Sequence, residues 1–329
     1  MRGAHPTIAA RYNPSVKSTV GNRHHANQNP LRHHAPAASR AGRFFTCLIY
    51  PPAGVIHKFY GRPLAARLTP TYKVSWIEEE ELINTITPDE ICAELASLFA
   101  EEQQRGGNEY LIEHSASISI RRHVEVFEQY CQFLPEGGRI LDWGCNHGPD
   151  SCMIRAAFGE KYELHGCDFP DAGCFPIFHD FANIAYKKLA TPYQLPYPEN
   201  YFGAVIGSGV LEHAAMDYEA LKAVYRVLTN DGIFVISFLP NRLSYVEFLA
   251  RNLGLPCHRR LYGMSEIKAA LKHHGFEPLY CRYHQFTPAH RLRRVFDVIP
   301  WIDALGERAW PLNQFCSTIM IVARKVLVM

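Results

Sequence analysis

The stretch Arg139-Ile140-Leu141-Asp142-Trp143-Gly144-Cys145-Asn146-His147-Gly148 decides the fold. Apolar residues and one acid, followed by two glycines four apart, describe a buried parallel strand that turns sharply under a ligand and opens a helix. Glycine permits the turn and a close backbone approach. Free N–H groups at the start of the next helix, expected over about 149–158, present partial positive charge to an anionic group. A dinucleotide site would need glycines where Asn146 and Pro149 stand, so that the backbone could touch a pyrophosphate. The loop therefore disfavours a pyrophosphate and still suits an adenosine that carries a short amino-acid carboxylate.

Working outward, strand and helix signals alternate. Thr87 precedes apolar positions Ile91, Leu95, Leu98 and Phe99, which predicts a helix from Pro88 to about Gln104. Ile118, Ile120, Val124, Phe127 and Tyr130 predict a second over Ser117–Phe133, stopped by Pro135-Glu136-Gly137-Gly138. Beyond the quoted strand come strands at about 162–167, 184–189, 202–207 and 232–238, with helices at about 149–158 and 215–228. The last third adds a helix at about 264–275, where Ser265 reads as the cap, and strands near 277–285 and 316–324. This alternation specifies an α/β, doubly wound, mostly parallel sheet with helices on both faces. Ligands on such sheets bind beyond the carboxyl ends of the strands.

Two further segments accompany the loop: Gln194-Leu195-Pro196-Tyr197-Pro198-Glu199-Asn200-Tyr201-Phe202, then Val210-Leu211-Glu212-His213. Together the three resemble the type-11 group of class I methyltransferases, with its D-x-G-C-G-x-G, L-P-[FY]-x-[DE]-x-x-F and V-L-E-H elements. The resemblance spans about 137–285; Asn146 replaces the middle glycine, and Gly203 replaces the usual acid after Phe202. It implies a seven-stranded Rossmann-like sheet, the seventh strand inserted antiparallel, and S-adenosyl-L-methionine as cofactor.

The candidate cofactor residues are Asp142, Gly144, Cys145, Asn146, Gly148, Asp168, Thr191, Ser208 and Gly209. Asp168 ends the second strand 20 residues past Gly148, where a carboxylate can accept both ribose hydroxyl protons. Asp142 either orients the glycine loop or meets the cofactor's ammonium. By the resemblance, Thr191-Pro192 stands where an Asp-Ala pair commonly flanks adenine, although Thr191 has no carboxylate and Pro192 no N–H. Ser208 and Gly209, at the carboxyl end of the fourth strand, should line the methionine side. His213 is the candidate general base, since imidazole titrates near working pH; alternatively Glu212 and His213 simply begin a helix.

The chain has 329 residues, 47% of them hydrophobic, enough for one α/β core with extensions. Residues 1–77 hold 11 Lys or Arg and no Asp or Glu; the remainder carries 23 basic against 32 acidic residues. We therefore expect a disordered basic tail over 1–43, an irregular extension over 44–86 and a catalytic domain over 87–329, with cap insertions at 240–263 and 286–314. The acid-free front end is compatible with a mitochondrial transit peptide, and otherwise the expectation is a cytoplasmic protein. No apolar run is long enough for a spanning helix. The His24-His25 and His33-His34 pairs lack the Cys or carboxylate companions of a metal site, so no metal is expected. Ten cysteines (Cys47, Cys92, Cys131, Cys145, Cys152, Cys167, Cys174, Cys257, Cys281 and Cys316) are scattered without a C-x-x-C, as small buried residues of a reducing compartment would be.

Residues 290–310 mix bases with large apolar side chains, the composition of a lid over the core or of a stretch lying on a membrane. The acidic body argues against a nucleic-acid substrate. The expected acceptor is a small molecule or a lipid-linked one, with oxygen as the methylated atom. A nicotinamide oxidoreductase on a similar sheet and a non-catalytic S-adenosylmethionine binder are the alternatives. Nothing in the sequence specifies the oligomeric state.

Overall fold

A computed structural model describes residues 86–106, 109–171, 173–288 and 300–327. The basic tail, most of the extension, both histidine pairs, Cys47 and most of the basic part of 290–310 lie outside these residues. The first helix, α1 (Pro88–Gln104), starts as its sequence signal demands. The Thr87 side chain accepts from Glu90 N, the Glu90 carboxylate accepts from Thr87 N, and Pro88 takes the first turn, where no N–H is needed. After α2 (Glu109–His114) comes α3 (Ser117–Tyr130), extended by a 3-10 turn over Cys131–Phe133.

The core then alternates β1 (Gly138–Trp143), α4 (Pro149–Phe158), β2 (Tyr162–Asp168), α5 (Pro176–Ala182), β3 (Ala185–Lys188), β4 (Phe202–Ser208), α6 (Asp217–Val227) and β5 (Leu228–Pro240). It finishes with α7 (Tyr245–Asn252), α8 (Met264–His273), β6 (Phe276–His284), α9 (Pro300–Arg308) and β7 (Thr318–Lys325). The strands form one seven-stranded sheet in the order β3-β2-β1-β4-β5-β7-β6. All pairs among β1–β5 are parallel, and β7 runs antiparallel to both β5 and β6. This is the seven-stranded methyltransferase arrangement that the motifs imply. The chain winds outward from β1 through β2 to β3 and returns to β4 on the other side of β1. The crevice of such a sheet therefore opens at the carboxyl ends of β1 and β4.

Period-two alternation splits the buried side chains between two layers. Along β4 and β5, Val205, Phe234 and Ile236 pack with Leu221 and Val224 of α6 and with Ile267 and Leu271 of α8. Ala204, Ile206 and Val235 pack on the other face with Leu95 of α1, Val124 and Phe127 of α3 and Met153 of α4. Each such fully buried aliphatic or aromatic side chain contributes about 1.5–3 kcal/mol.

Four local expectations change. The 215–228 helix begins only at Asp217, and Leu211–His213 is a separate 3-10 turn, so Glu212 and His213 do not open a helix. Gly263, not Ser265, is the cap of α8: its N–H donates to Glu266 Oε2, which spares Ser265 that task. The 240–263 insertion carries a helix of its own, α7, capped by the Ser244 hydroxyl accepting from Glu247 N. The interrupted stretch after β2 contains α5, with Pro176 in its first turn. All nine cysteines among the described residues are free thiols.

Candidate active site

The loop between β1 and α4 is shaped by three left-handed residues: Gly144 at φ 70°, Asn146 at 47° and Gly148 at 79°. Asparagine tolerates this region better than most residues, which explains how Asn146 stands in for a glycine. A Cβ at Gly144 would lie 2.5 Å from Val210 Cγ2, so the loop and the β4 turn are packed against each other. Gly144 N donates to Cys167 O at 2.7 Å, and Gly148 N to Cys145 O at 2.6 Å, closing the turn.

Asp168, at the end of β2, fastens the loop from the side. Its Oδ2 accepts from Asn146 N at 2.8 Å and its Oδ1 from Phe169 N at 2.7 Å. Each oxygen keeps a lone pair, the requirement for receiving a ribose diol. Burial raises the carboxyl above its ordinary range, opposed by the two backbone donors.

A cavity of about 490 Å³ opens at the carboxyl ends of β1 and β4. Asp142, Gly144, Cys145, Asn146, Ser208, Gly209 and His213 lie in its wall, as their motifs require. Gly148, Asp168 and Thr191 do not: Gly148 turns behind the loop against Ile184, and Asp168 reaches the site through Asn146 N. Thr191 follows β3 and holds a buried Oγ1 with no partner among the described residues. Asn146 Oδ1 is likewise buried and unpartnered among them. Asn146 lines the cavity, and a polar atom left unpaired there is placed to meet a ligand.

Asp142 is buried and accepts from both Ser151 N, at 3.3 Å, and Ser151 Oγ, at 2.8 Å. It thereby pins the first turn of α4 beneath the loop. Burial, with Asp150 nearby, pushes it up to about 8. Asp150 itself accepts from Tyr130 OH at 2.5 Å. The Cys145 thiol is held well above its usual range by burial and stays protonated, so it packs and does not attack.

His213 lies with its side chain 73% exposed, 3.9 Å from Glu212 Oε1. Partial desolvation at the cavity mouth and the nearby His258 lower its pKa, so it is neutral and able to accept a proton at neutral pH. The Glu212 side chain is only 4% exposed, and its Oε2 has no partner among the described residues. Burial pushes its carboxyl up to about 7.

The geometry also brings in residues that the motifs did not mark. His123 of α3 lines the cavity, and its Nδ1 donates to Ser119 O at 3.0 Å. A carbonyl only accepts, so the proton sits on Nδ1 and Nε2 keeps a lone pair. The His123 ring packs tilted against Phe238, centroids 4.6 Å apart; Phe238 sits at φ 55°, where the pairing of β5 with β7 shifts register. Glu247 and His258 form a charged pair in the wall at 2.7 Å. The helical pattern of 117–133 marked His123 only as one position in a helix. The turn role assigned to Glu212 hid its inward carboxyl. Among the described residues no cluster of three or more His, Cys, Asp or Glu could hold a metal ion.

Around the Glu247–His258 pair and Arg122, the wall keeps the buried carboxyls Asp142 and Glu212, which a cationic ligand would help to ionise. The Asp168 carboxylate, the open face of Asn146 and the N-terminus of α4 suit an adenosine with an amino-acid tail. The donor set therefore fits S-adenosylmethionine.

The chain is similar to the following known proteins. Residues 141–236 match the methyltransferase-domain family. A Mycolicibacterium smegmatis protein named as a probable S-adenosylmethionine-dependent methyltransferase is 26% identical over 160 residues, 48% of this chain and 59% of its own length. The chain thus spans less than two thirds of that relative. Among solved structures, YcgJ of Bacillus subtilis is similar at 17% identity and a TM-score of 0.46, covering 62% of this chain and 99% of its own. A SAM-dependent methyltransferase of Methanosarcina mazei is similar at 15% identity and a TM-score of 0.44, covering 61% and 98%. Residues 141–236 thus match a methyltransferase domain, and the curated relative is named as one that depends on S-adenosylmethionine.

Proposed function

We propose that this protein is an S-adenosylmethionine-dependent methyltransferase whose acceptor is a small or lipid-linked molecule methylated on a hydroxyl oxygen. The observation that carries the reading is the grip of Asp168 on Asn146 N across the left-handed loop, beside a cavity lined by carboxyls and neutral histidines.

When bound, the cofactor supplies an activated methyl group on a sulfonium. Asp168 and the loop hold the ribose, and the N-terminus of α4 faces the amino-acid carboxylate. Asp142 and Glu212, whose protons are held by burial, would ionise more readily beside the bound cation. Alignment of donor and nucleophile in a dry cavity then accounts for most of the rate.

A hydroxyl nucleophile must lose its proton as the new bond forms, and the wall holds groups able to take it. His213 is neutral and beside Glu212. The hydroxyl reading rests on this supply of bases, which a neutral amine would not need to the same degree.

Calorimetric titration with S-adenosylmethionine, S-adenosylhomocysteine and NAD tests the cofactor assignment. Binding of the first two without NAD is expected; NAD alone would overturn it. A panel of hydroxyl, amine and carbon acceptors then tests the acceptor atom, and turnover of amines or carbons with no hydroxyl would sink the oxygen assignment.

A further inference from the structure

Helix α7 is inside out. A surface helix normally turns its apolar stripe to the core and its polar face to water. Here Ala250 is the buried residue of the helix, while Phe248 is 67% exposed, Leu249 49% and, just past the end, Leu253 69%. At 3.6 residues per turn these three share the outward side with Asn252, while Tyr245 at the start of the helix is half-buried and donates its OH to Phe286 O. The inward side carries Glu247, which accepts from both His258 N and His258 Nδ1 in the cavity wall. Leu243 and Leu255 extend the exposed apolar face at either end.

The charge around this face has one sign. Glu247 is the one acid between residues 241 and 263, and it is turned inward on His258. Arg251 and Arg259 are exposed and form no ion pair within 4 Å among the described residues; Arg251 donates to His258 O and its charge acts on Glu247. A second exposed apolar stretch is tied to the root of the helix. Asn241 Nδ2 donates to Gln314 O and Cys316 O, beside Trp310, Leu312 and Phe315, which are 79%, 44% and 43% exposed.

Protruding Phe, Leu and Trp side chains flanked by arginines are the composition that inserts into the headgroup boundary of a bilayer, with the arginines on anionic lipid. A second copy of this chain fits less well, because a two-fold contact through α7 would bring together two faces that carry exposed arginines of the same sign. The segment also builds part of the cavity wall through Val246, Glu247, Pro256 and His258.

We propose that residues 243–255 seat on the surface of an anionic lipid bilayer, so that the cavity takes its acceptor from the membrane. The delivery of the acceptor rests on the methyltransferase reading; the docking does not.

The test is co-sedimentation of the full chain with phosphatidylcholine vesicles, with and without phosphatidylserine. Binding to the anionic vesicles is expected, and the Phe248→Glu, Leu253→Glu double variant should weaken it at least tenfold, while Phe248→Leu keeps it. Both residues are exposed, so an unchanged thermal transition will show that the fold is intact. Absence of vesicle binding overturns the proposal. So does undiminished binding by the double variant, since the basic residues of 1–77 would then account for it. A dimer that the double variant dissociates, without vesicle binding, assigns the face to a second copy and also overturns it. Titration with S-adenosylhomocysteine is read separately, so failure of the cofactor assignment and failure of the docking remain distinct results.

Discussion

Asp168 Oδ2 accepts the Asn146 backbone N–H at 2.8 Å, joining the end of β2 to the turn after β1. One carboxylate thus holds the loop in shape and, on the function proposed above, also receives the ribose. Asp168→Ala removes the two functions together and should weaken S-adenosylhomocysteine binding at least tenfold, about 1.4 kcal/mol, by calorimetry. An unchanged affinity would take Asp168 out of the site.

Gly144 has φ 70° and no room for a side chain, since a Cβ would meet Val210 Cγ2 at 2.5 Å. Gly144→Ala combines backbone strain with a clash and should cost about 1–3 kcal/mol of stability together with cofactor affinity. Adding Val210→Ala relieves the clash but not the strain. The double variant should recover part of the lost melting temperature.

The Glu212 carboxyl is pushed from its ordinary 4.5 up to about 7. A raised acid holds its proton more tightly in the folded state than in the unfolded one. Stability therefore falls as pH rises from about 4.5 to about 7, by about 3 kcal/mol at ~1.4 kcal/mol per unit, and stays reduced above. Glu212→Gln removes that loss. Thermal unfolding should show the variant stabilised relative to the parent at pH 8 and not at pH 5; equal differences at both would show that Glu212 does not titrate this way.

If His213 takes the acceptor proton, His213→Gln should lower kcat by about 10² or more and leave S-adenosylhomocysteine affinity unchanged. The remaining activity should lose the acid limb of its pH profile. Should turnover survive, His123 is the next residue to change, because its Nδ1 proton is committed to Ser119 O.

Arg122 is 6% exposed and donates to Asp303 Oδ2 at 2.6 Å, Thr287 Oγ1 at 2.7 Å and Thr287 O at 3.0 Å, joining α3 to α9 and the end of β6. Arg122→Met keeps the bulk and strands the Asp303 carboxylate. A loss of about 3–5 kcal/mol is expected from denaturant unfolding, and Asp303→Asn on top should restore part of it.

The amino-acid order by itself determined the alternation of strand and helix, the loop at 144–148 and the acid that ends β2. These are local matters: side-chain period, turn chemistry and the placement of glycine are written within ten residues of one another. Only the tertiary structure could turn α7 outward or set Glu212 inward without a partner. Only it could bring His123 from α3, some twenty residues before the loop, over the cavity against Phe238. It also set Gly148, Asp168 and Thr191 apart from the wall that the other candidate cofactor residues form. The reason is physical. Burial and the partner of a polar atom depend on residues distant in the chain, and a helix period fixes which residues share a face but not which face meets water.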